Sequence, residues 1–421
     1  VLFRSRELAV KIVHFSITPL AGAPIRLVQA LQRHTNYDVS LVDLKRWGRY
    51  DHDVVHGDDP ERTLELARAA DIIHLHNYLG YQSREFHPVD FDALRKEGKA
   101  FIQQFHSHPD LVAQVMQIEV SNLLSSTMPA LVIAQFQERF YPNARVVPNI
   151  IPQDSTTYSP GDEPISNDIF FSPTSTFSAW DNRWNTKGTP ETLKLMKQVA
   201  RKTGCTIKCM TDSTFQEAIA GKRKARVVMD DLITGSYHLS GLEGLSLGKP
   251  VFSFLDDRTQ RVLREIAMTE VCPFINLRLE DSFDVLVHLV AHPEEAAAIG
   301  KVSREWIERY WSDHILVQHF IDVYEKLLID PDLVVRQDSL RLKDSVDHFH
   351  AVILPDLAYR SRANHYQASL PIGAKALKYT RQFICFLGRV VTKCLPAPIL
   401  KPLRGVWSSI GRALAKGRGG F

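Results

Sequence analysis

Ser240-Gly-Leu-Glu243-Gly-Leu-Ser-Leu-Gly248-Lys-Pro250-Val-Phe252 begins as a helix and ends as a buried strand. Ser240 and Glu243 have the spacing of a capping box, in which each side chain satisfies an orphan backbone donor at a helix start. Leu242, Leu245 and Leu247 give the short helix an apolar side. Gly248 stops it, Pro250 forbids its continuation, and Val251–Leu255 reads as a core strand. Elements joined this tightly suit a parallel sheet, whose ligands gather at helix N-termini and strand C-termini. The preceding loop, Asp230-Asp-Leu-Ile-Thr-Gly-Ser-Tyr-His-Leu239, would then line a crevice.

The same rhythm runs outward in both directions. Val10–Phe15 reads as a first strand, followed by Thr18-Pro-Leu-Ala-Gly22 and a helical pattern of Ile25, Leu27, Val28 and Leu31. The turn lacks a Gly-x-Gly-x-x-Gly fingerprint, so a dinucleotide site is not supported, and Gly22 permits either an ordinary tight turn or a close ligand approach. Val39–Val42 is a second strand. Asp71-Ile-Ile-His-Leu-His76-Asn77 and Ala100–Phe105 with His106-Ser-His108-Pro109 are strands that end in histidines at one sheet edge. Each histidine alone could be a satisfied structural residue. Gln153–Asn167, rich in Ser, Pro, Asp and Thr, reads as a linker. A second set of strands begins at Ile169, and Thr189 with Pro190 is a plausible helix cap and first position. The basic run Lys222–Arg226 reads as a solvated helix end. Long helices over Glu294–Trp311 and Leu316–Leu328 follow.

A chain of 421 residues exceeds one ordinary core. We expect an α/β protein with residues 1–160 and 161–330 as two domains and 331–421 as a helical tail. The net charge of +3 conceals an asymmetry: twelve Lys and Arg and no acid follow Asp356, which leaves −9 for everything before. Five cysteines without Cys-x-x-Cys spacing point to a reducing compartment and no structural metal. Asp230-Asp231 and Asp256-Asp257 are adjacent pairs that would point apart on a strand, and no Asp-x-Asp marks a metal site. No apolar run is long enough to span a bilayer. No signal-peptide pattern opens the sequence, although it begins with Val rather than Met, so a cytoplasmic location is expected with residues 1–7 open.

The block Glu243-Gly-Leu-Ser-Leu-Gly248-Lys-Pro250-Val251 resembles the glutamate-to-Gly-x-Pro-Val block of retaining family-4 type glycosyltransferases with the GT-B architecture. Arg183 and Lys187, the strand ends at 71–77, and Val147-Pro148-Asn149 are similar to that family in the same order. The resemblance implies two Rossmann-like domains facing an interdomain cleft and transfer of a sugar from a nucleotide-sugar donor, with no further cofactor. Arg183 and Lys187 would hold the diphosphate, though both could be surface charges. Glu243 would hold the ribose hydroxyls, in competition with its capping role. Gly22 would lie near the sugar or acceptor, and His106, with His108 as its rival, would contact the sugar. The family's first motif glutamate is replaced by Gly235, so backbone around Ser236–Leu239, or His238, could take its place. That departure keeps open a degenerate protein that binds sugar nucleotide or glycan without transfer. A sugar-nucleotide epimerase of the same architecture also remains open.

The tail is read from its own pattern. Lys375, Lys378, Arg381, Arg389 and Lys393 fall on one side of a helical wheel, opposite Leu377, Phe383, Ile384, Leu387 and Val390. Leu403, Val406, Trp407, Ile410 and Leu414 repeat the pattern after a Pro-rich break. A basic face with aromatics opposite suits an anionic membrane surface, here the inner face, with a glycan or lipid-linked acceptor. Docking on the acidic body is the alternative. Nucleic acid is not expected, because the basic face lacks stacking aromatics.

Overall fold

β1 (Lys11–Ser16), β2 (Asp38–Asp43), β3 (Val54–Val55), β4 (Ile72–His76), β5 (Ala100–Phe105), β6 (Ala130–Ile133) and β7 (Ala144–Val147) form one sheet in the order β3-β2-β1-β4-β5-β6-β7. β8 (Asn167–Phe171), β9 (Ile207–Cys209), β10 (Ala225–Met229), β11 (Val251–Ser253) and β12 (Ile275–Asn276) form a second, ordered β12-β11-β10-β8-β9. Every pairing is parallel. The computed structural model describes residues 9–48, 50–180, 183, 187–334, 337 and 339–369.

The strands are parallel because their apolar runs are covered on both faces, as crossover helices require. On the first sheet Ile12 and Ile72 pack with the Ala23–His34 helix, while Val13, Phe15, Ile73 and Leu75 pack on the opposite face with Phe86 and Phe91. Strand order reverses between β1 and β4 and again between β8 and β10. Those two switch points are where an open α/β sheet leaves a crevice beyond its strand ends.

Local chemistry departs from expectation at two helix starts. The helix expected from Ser240 runs Leu239–Ser246 with His238 at its cap, and no side chain caps it. The capping box does not form because the Glu243 carboxylate is engaged elsewhere. The next correction concerns Thr189, which is the first helical residue rather than the cap. Gly188 caps the Thr189–Thr203 helix at φ 65°, and the Thr189 hydroxyl donates to the Ser175 carbonyl.

After the second sheet the chain returns to the first. The Asp313–Ile329 helix receives Arg33 and His34 on Asp313, Arg145 on Asp322, and places Tyr324 beneath β1 and β4. Trp311 donates its indole N–H to the Asn149 carbonyl, and Arg304 donates to the carbonyls of Gln153, Tyr158 and Ser246. These bonds fasten the 153–167 connection from the far end of the chain. One compact unit ends at Tyr359 and a second begins at Arg360. Within the first unit, Leu340 and Ala351 accept from Arg258 and Arg139, and the Tyr359 hydroxyl donates to the Ala179 carbonyl. The amphipathic stretches from Lys375 onward lie outside the described residues.

Gly300 tests the packing that holds the Leu239–Ser246 helix and its following turn. A Cβ there would sit 2.1 Å from the Gly248 carbonyl oxygen, which is backbone and cannot swing aside. Gly300→Ala should destabilise by about 1–3 kcal/mol, reversing the gain of roughly 0.5–1 kcal/mol expected for alanine inside a helix. Urea unfolding measures it, and a midpoint equal to or above that of the native protein contradicts the close approach.

Candidate functional site

The second switch point collects charge. Lys187 stands just before the Thr189–Thr203 helix, on the loop after β8, and donates to the Asp230 carboxylate at 2.5 Å. Asp230 follows β10, is fully buried, and also accepts the His238 backbone N–H at 2.7 Å. Burial works against its charge, but Lys187 and His238 hold its carboxyl below the usual range. Asp231 turns inward as well, accepting the backbone N–H groups of Ile233 and Thr234 and the Thr234 hydroxyl. The expectation that adjacent aspartates point apart thus fails for Asp230 and Asp231, because the strand ends at Met229 and the pair lies on the loop.

Glu243 is 6% exposed and bound on both oxygens. Arg26, from the helix that starts after Gly22, donates to Oε1 at 2.6 Å. Lys222 donates to Oε2. The basic run Lys222–Arg226 is therefore not simply a solvated helix end: Lys222 is 1% exposed and lies in the core of the site. Burial lowers its pKa, and its ammonium also feels Lys187 and Asp230, which makes the two ion pairs one electrostatic cluster. Burial opposes the Glu243 charge, yet Lys222 and Arg26 keep its carboxyl below the ordinary value. Arg26 is further boxed by the Tyr158 and Phe215 rings, 5.0 and 5.4 Å from its guanidinium carbon.

The remaining expected residues fall around this cluster. Arg183 is buried rather than surface-exposed, donating to the Thr234 carbonyl at 2.9 Å between the Phe136 and Tyr359 rings. Burial lowers its pKa to about 10. Gly22 takes φ 82°, and a Cβ there would press on the Tyr50 ring at 3.1 Å, so glycine is required by conformation and packing. His238 sits at the helix start with its ring a third exposed, 3.8 Å from Asp230. Gly235 has φ 90°, and the carboxylate nearest its missing side chain belongs to Asp256, which Arg139 grips through both oxygens at 2.9 Å. Further hydrogen bonds bring the first sheet's loops to this one: Ser236 Oγ accepts from the Phe136 N–H at 3.1 Å, the Tyr237 hydroxyl donates to the Ala134 carbonyl, and Arg258 donates to both oxygens of Glu138 at 2.7 and 2.8 Å.

The histidines divide. His108 caps the Pro109–Met116 helix, its Nδ1 accepting the Asp110 N–H at 3.3 Å, with its ring on Phe140. His106 instead joins His76 at 3.2 Å, and His76 joins His14 at 3.0 Å. Burial pushes the pKa of His14 and His106 down to about 3, and those of His74 and His76 well below the ordinary value. Sequence reasoning missed Arg26, Lys222 and His14. The signal available for Arg26 was a cation inside an otherwise apolar helix stretch, and for His14 a polar residue inside a core strand, whereas Lys222 in its basic run carried none.

No family model and no curated protein matches the sequence. Solved structures match the fold. An alpha-glucosyltransferase in complex with UDP and a 13-mer DNA aligns at TM-score 0.55 with 11% identity, covering 76% of this chain and 100% of its own. An alpha-glucosyltransferase in complex with UDP aligns at 0.53, with 10% identity and 76% and 100% coverage. HepE from Anabaena, in complex with UDP and glucose, aligns at 0.50, with 12% identity and 75% and 100% coverage. Two Rossmann-like α/β layers in this order define the GT-B fold of glycosyltransferases. This chain has that fold.

The buried histidines set a pH dependence. An unfolded histidine binds its proton near pH 6.5, whereas His14 and His106 stay neutral until about pH 3. Stability contributed by keeping them neutral is complete above pH 6.5 and declines as pH falls towards 3, because the unfolded chain takes up protons the native one refuses. Urea unfolding free energies measured between pH 7.5 and 5 should fall with a slope of more than one proton. A flat profile across that window contradicts the burial.

Proposed function

We propose that this protein transfers a sugar from a nucleotide-sugar donor to a glycan or lipid-linked acceptor. The observation that carries the reading is the buried cluster of Lys187, Asp230, Lys222, Glu243 and Arg26 at the switch point of the second sheet. A donor diphosphate needs fixed positive charge and backbone N–H groups at a helix start. Lys187 has three N–H groups, of which one is bonded to Asp230. The other two suit phosphate oxygens, and Asp230 keeps the ammonium charged and aimed. Glu243 has lone pairs beyond those taken by Arg26 and Lys222, and these suit a pair of ribose hydroxyls. Arg183 would add charge on the diphosphate side, with Gly22, His238 and His106 towards the sugar. Leaving-group departure builds negative charge on phosphate, and cations already held in place lower that barrier without reorganisation. The two sheets, joined through residues 153–167, would act as domains whose closure excludes the water that hydrolyses a donor. HepE and the alpha-glucosyltransferase bind UDP, and UDP sugars are accordingly the first donors to try.

Gly235 favours one competing reading, binding of the donor without transfer, because no carboxylate projects from that position. A thermal-shift screen against UDP, GDP and ADP sugars, paired with release of the nucleoside diphosphate in the presence of membrane extract, separates the two. The native protein should gain melting temperature saturably with one base, since a ligand at 100 times its Kd adds about 2.7 kcal/mol. Lys187→Ala should lose most of that shift and all turnover. A shift without turnover leaves only the binding reading, and no shift with any donor removes both.

Among the described residues no helix is long and apolar enough to cross a membrane. The pattern of Lys375–Leu414 supports instead a peripheral contact with anionic lipid at the cytoplasmic face. A chain ending at residue 372 should leave the body folded, with an undiminished urea unfolding midpoint, but no longer sediment with anionic vesicles. Undiminished sedimentation excludes the tail as the anchor.

A further inference from the structure

Four imidazoles and a phenol lie in single file beneath the first switch point. The Tyr324 hydroxyl meets His74 Nδ1 at 2.8 Å and His14 Nε2 at 3.2 Å. His14 Nδ1 meets His76 Nε2 at 3.0 Å, and His76 Nδ1 meets His106 Nε2 at 3.2 Å. Every link runs Nδ1 to Nε2 in the same sense. The ring centroids are 5.3 and 5.4 Å apart along the last two links, which is the spacing of rings meeting edge to edge with one proton between them. His14, His74 and His76 also have nitrogens within 4.8 Å of one another. A shared metal ion would need their lone pairs to converge on one point, whereas here His14 and His76 aim theirs at each other.

A neutral imidazole has one donor and one acceptor nitrogen, so fixing one tautomer fixes the whole file. The fixed end is at His74. Its Nε2 is buried without a hydrogen-bond partner, and so is Gln104 Oε1 on the neighbouring strand. Gln104 stands close enough to favour the protonated imidazole, as an acceptor does. Giving His74 its proton on Nε2 puts a donor on the side of the Gln104 acceptor, where a bare nitrogen would set acceptor against acceptor. His74 Nδ1 must then accept from Tyr324, whose oxygen accepts from His14 Nε2–H. His14 Nδ1 accepts from His76 Nε2–H, and His76 Nδ1 accepts from His106 Nε2–H. The alternation ends at His106 Nδ1, which has no partner among the described residues.

We infer that Tyr324, His14 and His76 are positioning residues that hold the His106 imidazole with its proton on Nε2 and its Nδ1 as a bare acceptor. Such a nitrogen takes a hydrogen bond from a hydroxyl and repels a phosphate or carboxylate oxygen. Resting on the proposed placement of His106 towards the sugar, the arrangement makes that side of the site select a sugar hydroxyl. The half-buried histidine is held neutral by burial, so the acceptor persists through the physiological range.

Long-range proton–nitrogen spectra of protein labelled with nitrogen-15 at histidine read the tautomer directly, with His106 assigned by its loss in His106→Gln. The native protein should show His106 neutral with its proton on Nε2 from pH 7.5 down to 5. Tyr324→Phe keeps the ring and removes the hydroxyl, which leaves His14 Nε2–H facing carbon. Its proton is then better placed on Nδ1, and the alternation should reverse through His76, moving the His106 proton to Nδ1. A native His106 protonated on Nδ1 overturns the inference whatever the variant does. So does a folded Tyr324→Phe protein in which the His76 and His106 signals are unchanged. If Tyr324→Phe does not fold, Gln104→Glu, which retains an acceptor, must preserve the native His106 signal, and its reversal also overturns the inference. A native tautomer as stated in a protein that answers no nucleotide sugar refutes the transferase reading and leaves the histidine file standing.

Discussion

The carboxylate of Glu243 joins the two sheets of this protein through charge. Arg26 reaches it from the first sheet's opening helix, and Lys222 from the second sheet. Removing three charges from water is costly, and only full mutual pairing repays it. The cost explains the surrounding architecture. Tyr158 and Phe215 wall Arg26, Gly22 lets the first helix begin close to Tyr50, and the helix carrying Glu243 is anchored from behind by the close approach of Gly300 to Gly248. Elements distant in sequence are thus held in register by one group that cannot be left unpaired.

The same electrostatics decide what the site can bind. Arg26, Lys187 and Lys222 face Glu243 and Asp230, so the resting cluster carries only one formal positive charge in excess without any ligand. A dianionic diphosphate would not find bare cations; it would compete for N–H groups of an ammonium already oriented by Asp230. Preorganisation of this kind trades ground-state attraction for alignment, which is where fixed charges serve a developing anion best. The first sheet contributes neutral chemistry by contrast. Its histidines are kept uncharged by burial, so the two edges of the site differ in kind.

The α/β layering was legible because the strands are continuous apolar runs and the helices carry Gly and Pro at their ends. Lys11–Ser16 against the expected Val10–Phe15, and Asp313–Ile329 against Leu316–Leu328, differ only at the margins. The site was less legible, for a physical reason. Glu243 three residues after Ser240 is a valid capping box locally, and only a partner 217 residues away shows that the carboxylate is claimed elsewhere. Lys222 in a run of four cations looks solvated, since nothing in its neighbours reveals that the helix buries one of them. Asp230-Asp231 lies just past the strand end at Met229, where the alternation of strand side chains no longer holds. His14 reads as part of a core run, yet a histidine in such a run must find hydrogen bonds, and here it finds them in His76 and in Tyr324, far along the chain.

The bonds between the two halves are unequal in what they would leave behind if the halves separated. Parting them would break Arg26 from Glu243, Arg139 from Asp256, Arg258 from Glu138, Ser236 from Phe136 and Tyr237 from Ala134. It would not part Lys222 from Glu243 or Lys187 from Asp230, because each of those pairs lies within the second sheet's own elements. Opening would therefore expose a Glu243 carboxylate still held by one cation and with one oxygen newly vacant. Arg26, moving with the first helix, would be the charge that returns on closure. A ribose hydroxyl bound to that vacated oxygen would have to share it with the incoming guanidinium. On the role proposed for Glu243, its Oε1 would be one point at which ligand occupancy and the disposition of the two sheets meet.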